Sequence, residues 1–287
     1  MMAFGTMATI LFTWWFQSMG INFGLLPTAL LALPFGIAVA VGFALLTDRM
    51  VYRFYRRQKS ASIVVVMASV GVMFVMNGIV RLIIGPDDQR FDDGARFIIK
   101  AGDFKAWSGL NEGLALRSTQ LLTVIVAVVV VAALFWFLQK TRTGKSMRAF
   151  SDNEDLALLS GINPDRVVQV TWVIAAALAV IAGTLYGLDK SFRPFIYFSL
   201  LLPIFAAAVV GGLGSPMGAV AGGFVVAFSE IIVTYAWKTV ITYVVPQSWA
   251  PDSLMQLLST DYKFAVSFSI LIIVLLFMPN GLFNKGK

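Results

Sequence analysis

The sequence predicts an all-α protein, a polytopic bundle of about eight transmembrane helices with one charged loop on the cytoplasmic side. Three observations predict this class: 59% of the residues are hydrophobic, only 13% are charged, and the mean hydropathy is +0.83. Soluble domains are rarely so apolar. The spanning segments must be helices, because an open sheet cannot satisfy its backbone hydrogen bonds in lipid.

Apolar windows long enough to approach or cross a bilayer recur along the whole chain. A hydrocarbon core about 30 Å thick needs about 20 apolar residues in a helix. The windows lie at 1–16, 24–46, 61–84, 119–139, 167–188, 199–213, 216–237 and 264–279. We therefore expect one transmembrane domain over residues 1–287, with an extracytoplasmic loop at 85–118 and a cytoplasmic loop at 139–167.

The distribution of basic residues indicates which loops face the cytoplasm. Helix parity places 49–59, 140–166 and 285–287 on one side, and these regions hold five, five and two of the 22 basic residues. The positive-inside rule makes that side cytoplasmic, together with the C-terminus. The opposite loops hold nine basic residues offset by nine acidic ones. The net charge of +7 therefore reflects orientation in a lipid membrane and not nucleic-acid binding.

The absence of two residue types excludes the catalytic chemistry that depends on them. The chain contains neither Cys nor His, which removes thiolate nucleophiles, disulfides, His-based zinc sites and imidazole proton relays. Gly144-Lys145-Ser146 resembles the end of a phosphate-binding loop, but position 139, where the first glycine belongs, is Gln139. We expect a chain that is not an enzyme, does not hydrolyse ATP and binds no cofactor or metal.

Stripes of small residues predict close contacts between helices. They are Ala175, Ala179, Gly183 and Gly187 in one segment and Gly214, Gly218 and Gly222 in another. Ser215 followed by Pro216 predicts a helix N-terminus directly after a Gly-rich break. Short segments broken by glycine often mark substrate paths in transporters, although tight packing alone also explains these residues.

Polar residues inside apolar segments add to the candidates for a substrate path. The candidate residues are Asn77, Gly211, Gly212, Gly214 and Glu230. A carboxylate in a membrane is costly unless it is paired or faces water, so Glu230 lines the path or pairs with Lys190, Arg193 or Lys238. Asn77 lines the path or forms an interhelical hydrogen bond. The loop at 85–118 docks an extracytoplasmic partner or packs on the helix ends.

The most informative segment is the charged stretch KTRTGKSMRAFSDNEDLALLSGINPDR, residues 140–166, between two apolar windows. Basic residues come first, followed by an Asp/Asn/Glu cluster and then a short amphipathic piece that ends at Gly161 and Asn163-Pro164. This pattern is typical of a small helix that lies against another protein.

This segment and several others resemble the branched-chain amino acid ABC transporter permeases of the LivH type. The matching pieces, which span nearly the whole chain, are DRMVYRFYRR, MASVGVMF, TRTGKSMRAFSDNEDLALLSGINPDRV, AAAVVGGLGSPMGAVAGG, STDYK and LLFMPNGLF. MMAFGTMATI resembles the family's second span, just after its Asn-Phe-Ala-His-Gly segment. We therefore expect a first helix to be missing from the N-terminus.

The resemblance implies a permease subunit of the bacterial inner membrane that imports branched-chain or related amino acids by alternating access. It implies three kinds of partner: ABC ATPase subunits that use ATP and Mg, a second LivM-like permease and an extracytoplasmic solute-binding protein. The residues implied to form the ATPase-coupling contact are Gly144, Arg148, Ala149, Asp152, Asn153, Ala157, Leu159, Gly161 and Ile162. Two alternatives remain open: a permease for urea or short amides, and a stand-alone carrier that uses Glu230.

Overall fold

The computed structural model describes residues 1–21, 27–58, 60–91, 97–108, 115–212, 214–235, 257–278 and 281–282 of the 287-residue chain. The chain divides into two compact units, Met1–Tyr197 and Phe198–Lys287. Several predictions fall wholly or partly outside the described residues: the contribution of Lys59 and of 285–287 to the charge bias, the pairing of Lys238, the stretches 92–96 and 109–114 of the loop at 85–118, and one end of each window at 24–46, 199–213, 216–237 and 264–279.

The N-terminal unit is almost entirely helical. Its helices are α1 (Met2–Ser18), α2 (Ala29–Thr47), α3 (Arg53–Arg57), α4 (Ser62–Ile84), α5 (Ala101–Ser108), α6 (Ser118–Lys140), α7 (Arg142–Asp152), α8 (Glu154–Leu159) and α9 (Pro164–Lys190). A π-helical turn, Asp48–Tyr52, joins α2 to α3. Two short antiparallel strands, β1 (Phe97–Ile99) and β2 (Leu116–Arg117), flank α5.

The C-terminal unit is a smaller helix group. Helix α10 (Pro194–Ser199) lies across the boundary between the units. It is followed by α11 (Leu201–Gly211) and α12 (Pro216–Thr234), and a single 3-10 turn, Thr260–Tyr262, leads into α13 (Lys263–Phe277). The predicted N-terminus at Ser215-Pro216 is confirmed, since the Ser215 side chain accepts a hydrogen bond from the Gly218 backbone N–H.

The predicted class, an all-α polytopic membrane protein, is confirmed. Six helical stretches in the described part of the chain are long and apolar enough to cross a membrane: 29–57, 62–84, 118–140, 164–190, 194–211 and 216–234. Helix α1 has 17 residues and α13 has 15, short of the roughly 20 that a full span needs. The count of eight segments therefore stays a prediction.

Helices α1, α2 and α9 pack against one another in the N-terminal unit. Small residues allow this approach: a Cβ atom on Gly36 would lie 2.0 Å from Thr9 Oγ1, and one on Gly183 would lie 2.3 Å from Thr6 Oγ1. The buried Thr6, Thr9 and Thr13 hydroxyls each donate to the carbonyl four residues earlier, at 2.7–2.9 Å. Their polar groups are thereby satisfied within α1.

The predicted stripe on α9 is partly wrong. Gly183 and Gly187 do lie against neighbouring side chains, but Ala175 is exposed and Ala176 is the buried residue instead. Buried positions therefore run through 176, 180, 183 and 187, the three- and four-residue steps that keep one helix face. The predicted positions 175 and 179 each lie one residue before that face, because a uniform step of four residues exceeds the 3.6 residues of a helical turn.

The predicted stripe on α12 is confirmed at two of its three positions. A Cβ atom on Gly218 would lie 2.1 Å from the Gly211 carbonyl oxygen, and one on Gly222 would lie 2.2 Å from the Ala207 carbonyl oxygen. The backbones of α11 and α12 are thus in direct contact. Gly214 is outside this contact, because it precedes α12 and adopts φ +95°, with open space around its Cβ position.

Candidate functional site

Helix α7, the first helix of the charged segment, folds tightly back on α6. Thr141 caps α7, since its hydroxyl oxygen accepts from the Gly144 backbone N–H at 3.0 Å. Gly144 is buried, and a Cβ atom there would lie 2.3 Å from the Phe137 carbonyl oxygen and 2.6 Å from the Leu138 Cα. The glycine is therefore required for the close approach of α7 to the end of α6.

Helix α8 has defined caps at both ends. The Asn153 side chain accepts from the Leu156 backbone N–H at 3.0 Å and starts the helix. At the other end the Gly161 N–H donates to the Leu158 carbonyl and the Ile162 N–H donates to the Ala157 carbonyl, which is a Schellman motif. Gly161 has φ +79°, a conformation that glycine adopts without strain. The short helix is thus held in a fixed shape.

One face of α8 is apolar and exposed. Leu156, Leu158 and Leu159 are 62%, 42% and 85% exposed, whereas Ala157 is 3% exposed and anchors the helix. The predicted residues Arg148, Ala149 and Asp152 are also exposed, on α7, and Ile162 is half-buried. Polar caps together with exposed leucines are features of a helix that presents apolar side chains to a partner. We call the exposed surface of α7 and α8 the coupling surface.

A cluster of charged and aromatic side chains joins α9 to the π-helical turn and α3. Its members are Asp48, Tyr52, Arg53, Arg56, Asp165 and Trp172, which we call the inner network. Sequence reasoning did not identify these residues as functional, since the contacts that bring α9 into the cluster join residues more than 100 positions apart. Only the dense basic run at 49–59 indicated this region, and it was interpreted as an orientation signal.

Asn77 borders a cavity in the N-terminal unit. The cavity has a volume of about 190 Å³ and is also lined by Thr47, Ser69, Met76 and Trp172. The cavity assigns no ligand, so the role of Asn77 in a substrate path stays a prediction.

Glu230, on α12, has a hydrogen-bond partner in the C-terminal unit: the buried Ser267 hydroxyl on α13 donates to its Oε1. Two of the partners predicted for Glu230 have other carboxylates, since Lys190 pairs with Asp189 at 3.4 Å and Arg193 pairs with Asp88 at 2.5 Å. The carboxylate of Glu230 thus connects two helices of the same unit.

Gly211 and Gly212 lie at the end of α11. Gly211 touches the backbone of Gly218, and Gly212 has φ +97° and packs against Gly281. Their surroundings are backbone atoms, which accounts for both glycines by packing.

The predicted extracytoplasmic loop shows one of its two expected roles, packing on helix ends, while docking of a partner stays a prediction. Its first part packs on helix ends: the Trp14 indole N–H donates to the Arg90 carbonyl at 3.2 Å and the Gln17 amide donates to the Phe91 carbonyl at 3.0 Å. Further along, Trp107 on α5 is 84% exposed. Over the described residues, no group of three or more Asp or Glu side chains is placed to hold a metal ion.

Known proteins similar to this chain are membrane transport subunits. The family profile for the permease component of branched-chain amino acid transport systems matches residues 1–275. The LivH permease of Salmonella typhimurium, a high-affinity branched-chain amino acid transport protein, is 31% identical over 252 residues, covering 88% of this chain and 72% of that protein. The BraD permease of Pseudomonas aeruginosa is 27% identical over 90% of this chain and 75% of its own length.

A similarity extends to an archaeal protein. The probable LivH permease of Methanocaldococcus jannaschii is 28% identical over 74% of this chain and 65% of its own length. No solved structure gave a significant match. The family match over almost the entire chain agrees with the helical membrane architecture. The chain therefore belongs to the family of branched-chain amino acid transport permeases, the membrane subunits of ABC importers, and is a transporter subunit rather than an enzyme.

Proposed function

We propose that this chain imports a branched-chain or closely related amino acid, and that separate ATPase subunits drive it by binding the coupling surface. The names of its relatives support the substrate class. The proposed assembly contains a second permease subunit and an extracytoplasmic binding protein, with the coupling surface and the C-terminus on the cytoplasmic side. A stand-alone carrier based on Glu230 has no support from the family to which the chain belongs.

The observation that carries this proposal is the exposed leucine face of α8. Leu159 is 85% exposed beside a helix end fixed by the Gly161 turn. Exposing leucines to water is unfavourable by about 1.5–3 kcal/mol for each fully exposed side chain relative to its burial. A fixed apolar helix therefore suits a hydrophobic cleft in an ATPase subunit, where small motions of the cleft carry the helix with them.

Replacement of Leu159 by Glu should remove ATPase subunits from the purified complex. The charge would have to be buried at the apolar contact, and we expect retention of the ATPase to fall at least tenfold. Co-purification of the permease with its candidate ATPases from detergent measures this. Leu159→Met, which keeps the apolar volume, should retain the ATPase like the wild type. Equal retention by Leu159→Glu would refute the coupling surface, and a wild type that never retains an ATPase would refute the proposed function.

Replacement of Glu230 by Gln should leave ATP-driven uptake within about threefold of the wild type. The Gln side chain still offers Oε1 to the Ser267 hydroxyl, so the link between α12 and α13 is kept. Glu230→Leu removes that acceptor and should lower the melting temperature. Uptake of labelled leucine into vesicles and thermal unfolding measure the two effects. Loss of uptake in Glu230→Gln, with unchanged stability, would instead assign the carboxylate to the substrate path.

A further inference from the structure

The inner network connects the end of the charged segment to the C-terminal end of α2. Arg53 Nη2 lies 3.1 Å from Asp165 Oδ2, and Arg56 Nη2 lies 3.6 Å from Asp165 Oδ1. Arg56 also binds Asp48 through two nitrogens, at 2.9 and 3.4 Å. Arg56 thus bridges a carboxylate on α9 and a carboxylate on the π-helical turn. Two-pronged contacts of this kind fix orientation as well as distance.

A second contact joins α9 to the same turn one layer deeper. The Trp172 indole N–H donates to Asp48 Oδ1 at 3.0 Å, and the Trp172 ring packs on Tyr52 with the ring centres 5.1 Å apart. Asp48 is only 4% exposed, so both of its contacts are shielded from water. Asp165 and Trp172 are seven residues apart, which places them on one face of α9. That face therefore contacts α3 through Asp165 and the π-helical turn through Trp172.

One end of the inner network lies beside the end of α8, and the other lies in the wall of the cavity that Asn77 borders. Asp165 is in the first turn of α9, four residues after Gly161 and therefore directly beyond the end of α8. At the other end Tyr52, Trp172 and Ser69 line the cavity that Asn77 borders, and the Tyr52 hydroxyl donates to Ser69 Oγ at 3.1 Å. The network therefore spans the distance from the coupling surface to the cavity wall.

Two features of the inner network favour a second arrangement of its side chains. Arg53 Nε is buried and has no hydrogen-bond partner among the described residues, so this arrangement leaves one donor unsatisfied. A π-helical turn in a long helix carries its own irregular hydrogen bonding and is frequent at functional positions. An unsatisfied donor and an irregular turn in one cluster lower the cost of a second arrangement.

We propose that the inner network transmits displacement of α8 to the cavity wall, so that Asp165, Arg53, Arg56 and Asp48 are positioning residues for transport. The proposal rests on the proposed function, since it assumes that an ATPase moves α8. A push on α8 reaches Asp165 along the chain, and the ion pairs carry it to α3 and the π-helical turn. The Tyr52–Trp172 pair in the cavity wall then moves with them. Coupling of this kind is established by energetic measurement and not by proximity alone.

The test uses the assembled transporter in proteoliposomes, with its binding protein and labelled leucine, and measures uptake and ATP hydrolysis in the same vesicles. Asp165→Asn should retain its ATPases and its ATP hydrolysis while uptake per ATP falls about tenfold. Trp172→Phe, which loses only the indole N–H, should lower uptake per ATP about threefold. Asp165→Arg alone should also lower uptake per ATP. Adding Arg53→Asp to it should recover part of the lost uptake per ATP, because opposite charges again face each other at positions 53 and 165.

The matched control is Arg57→Gln. Arg57 is an exposed arginine on α3, and within the described ranges no ion pair involves it. Its replacement removes one positive charge from the helix that carries Arg53 and Arg56, without breaking a described ion pair, and should leave uptake per ATP unchanged. Unchanged uptake per ATP in both Asp165→Asn and Trp172→Phe would overturn the proposal. Loss of the ATPases from Asp165→Asn would also overturn it, because the network would then be part of the docking surface. A wild type without ATP-driven uptake would overturn the proposed function itself.

Discussion

Gly222→Ala should destabilise the C-terminal unit strongly, whereas Gly223→Ala, one residue further along α12, should not. The added Cβ at position 222 would lie 2.2 Å from the Ala207 carbonyl oxygen and 2.6 Å from the Gly211 nitrogen. These are backbone atoms, so no side chain can turn away, and α11 and α12 must separate. Overpacking of this kind costs about 1–3 kcal/mol, and more where the backbone cannot shift.

The control at position 223 isolates this steric effect. A Cβ there meets nothing within 4 Å, and Ala favours a helix over Gly by about 1 kcal/mol. Gly223→Ala should therefore unfold at the wild-type temperature or slightly above it. Thermal unfolding of the purified protein in detergent, with membrane accumulation as a second measure, compares the two variants. Equal melting temperatures would show that the helices do not approach this closely in the membrane.

Long apolar runs are the part of this fold that the sequence predicts best. The window at 61–84 corresponds to α4 (Ser62–Ile84), and the window at 119–139 corresponds to α6 (Ser118–Lys140). The reason is physical, since a bilayer imposes nearly the same length on every spanning helix. The strands Phe97–Ile99 and Leu116–Arg117 were not predicted, because three and two residues are too few to show an alternating pattern.

The candidate site likewise has features that the sequence predicts and features that it does not. The caps of α8 could be predicted, because Asn153 and Gly161 act on neighbours within four residues. The role of Asp48 could not be predicted, because its partner Trp172 is 124 positions away in the chain. Hydropathy locates helices without giving their rotation, which is also why the predicted stripe on α9 missed Ala176. Local capping can be deduced from sequence, while contacts between helices require the structure.

Gly144→Ala should abolish transport while leaving the helices in the membrane. The new Cβ would lie 2.3 Å from the Phe137 carbonyl oxygen and 2.8 Å from the Leu138 carbonyl oxygen, so α7 must move away from the end of α6. That movement would also break the hydrogen bond from the Gly144 N–H to the Thr141 hydroxyl oxygen. Because α8 follows α7 directly, the leucine face would be presented at the wrong place.

We expect a fall of at least tenfold in ATP-driven uptake and a matching loss of ATPase co-purification for Gly144→Ala. Ser146→Ala is the control on the same helix, since the one hydrogen bond of its hydroxyl among the described residues goes to the Arg142 carbonyl within α7 and its loss adds no bulk. Normal uptake in Gly144→Ala would mean that α7 can shift without moving α8, which would separate the two helices of the coupling surface. Loss of uptake with the ATPases still bound would place the defect after docking, in the path from α8 through Asp165 to the cavity wall.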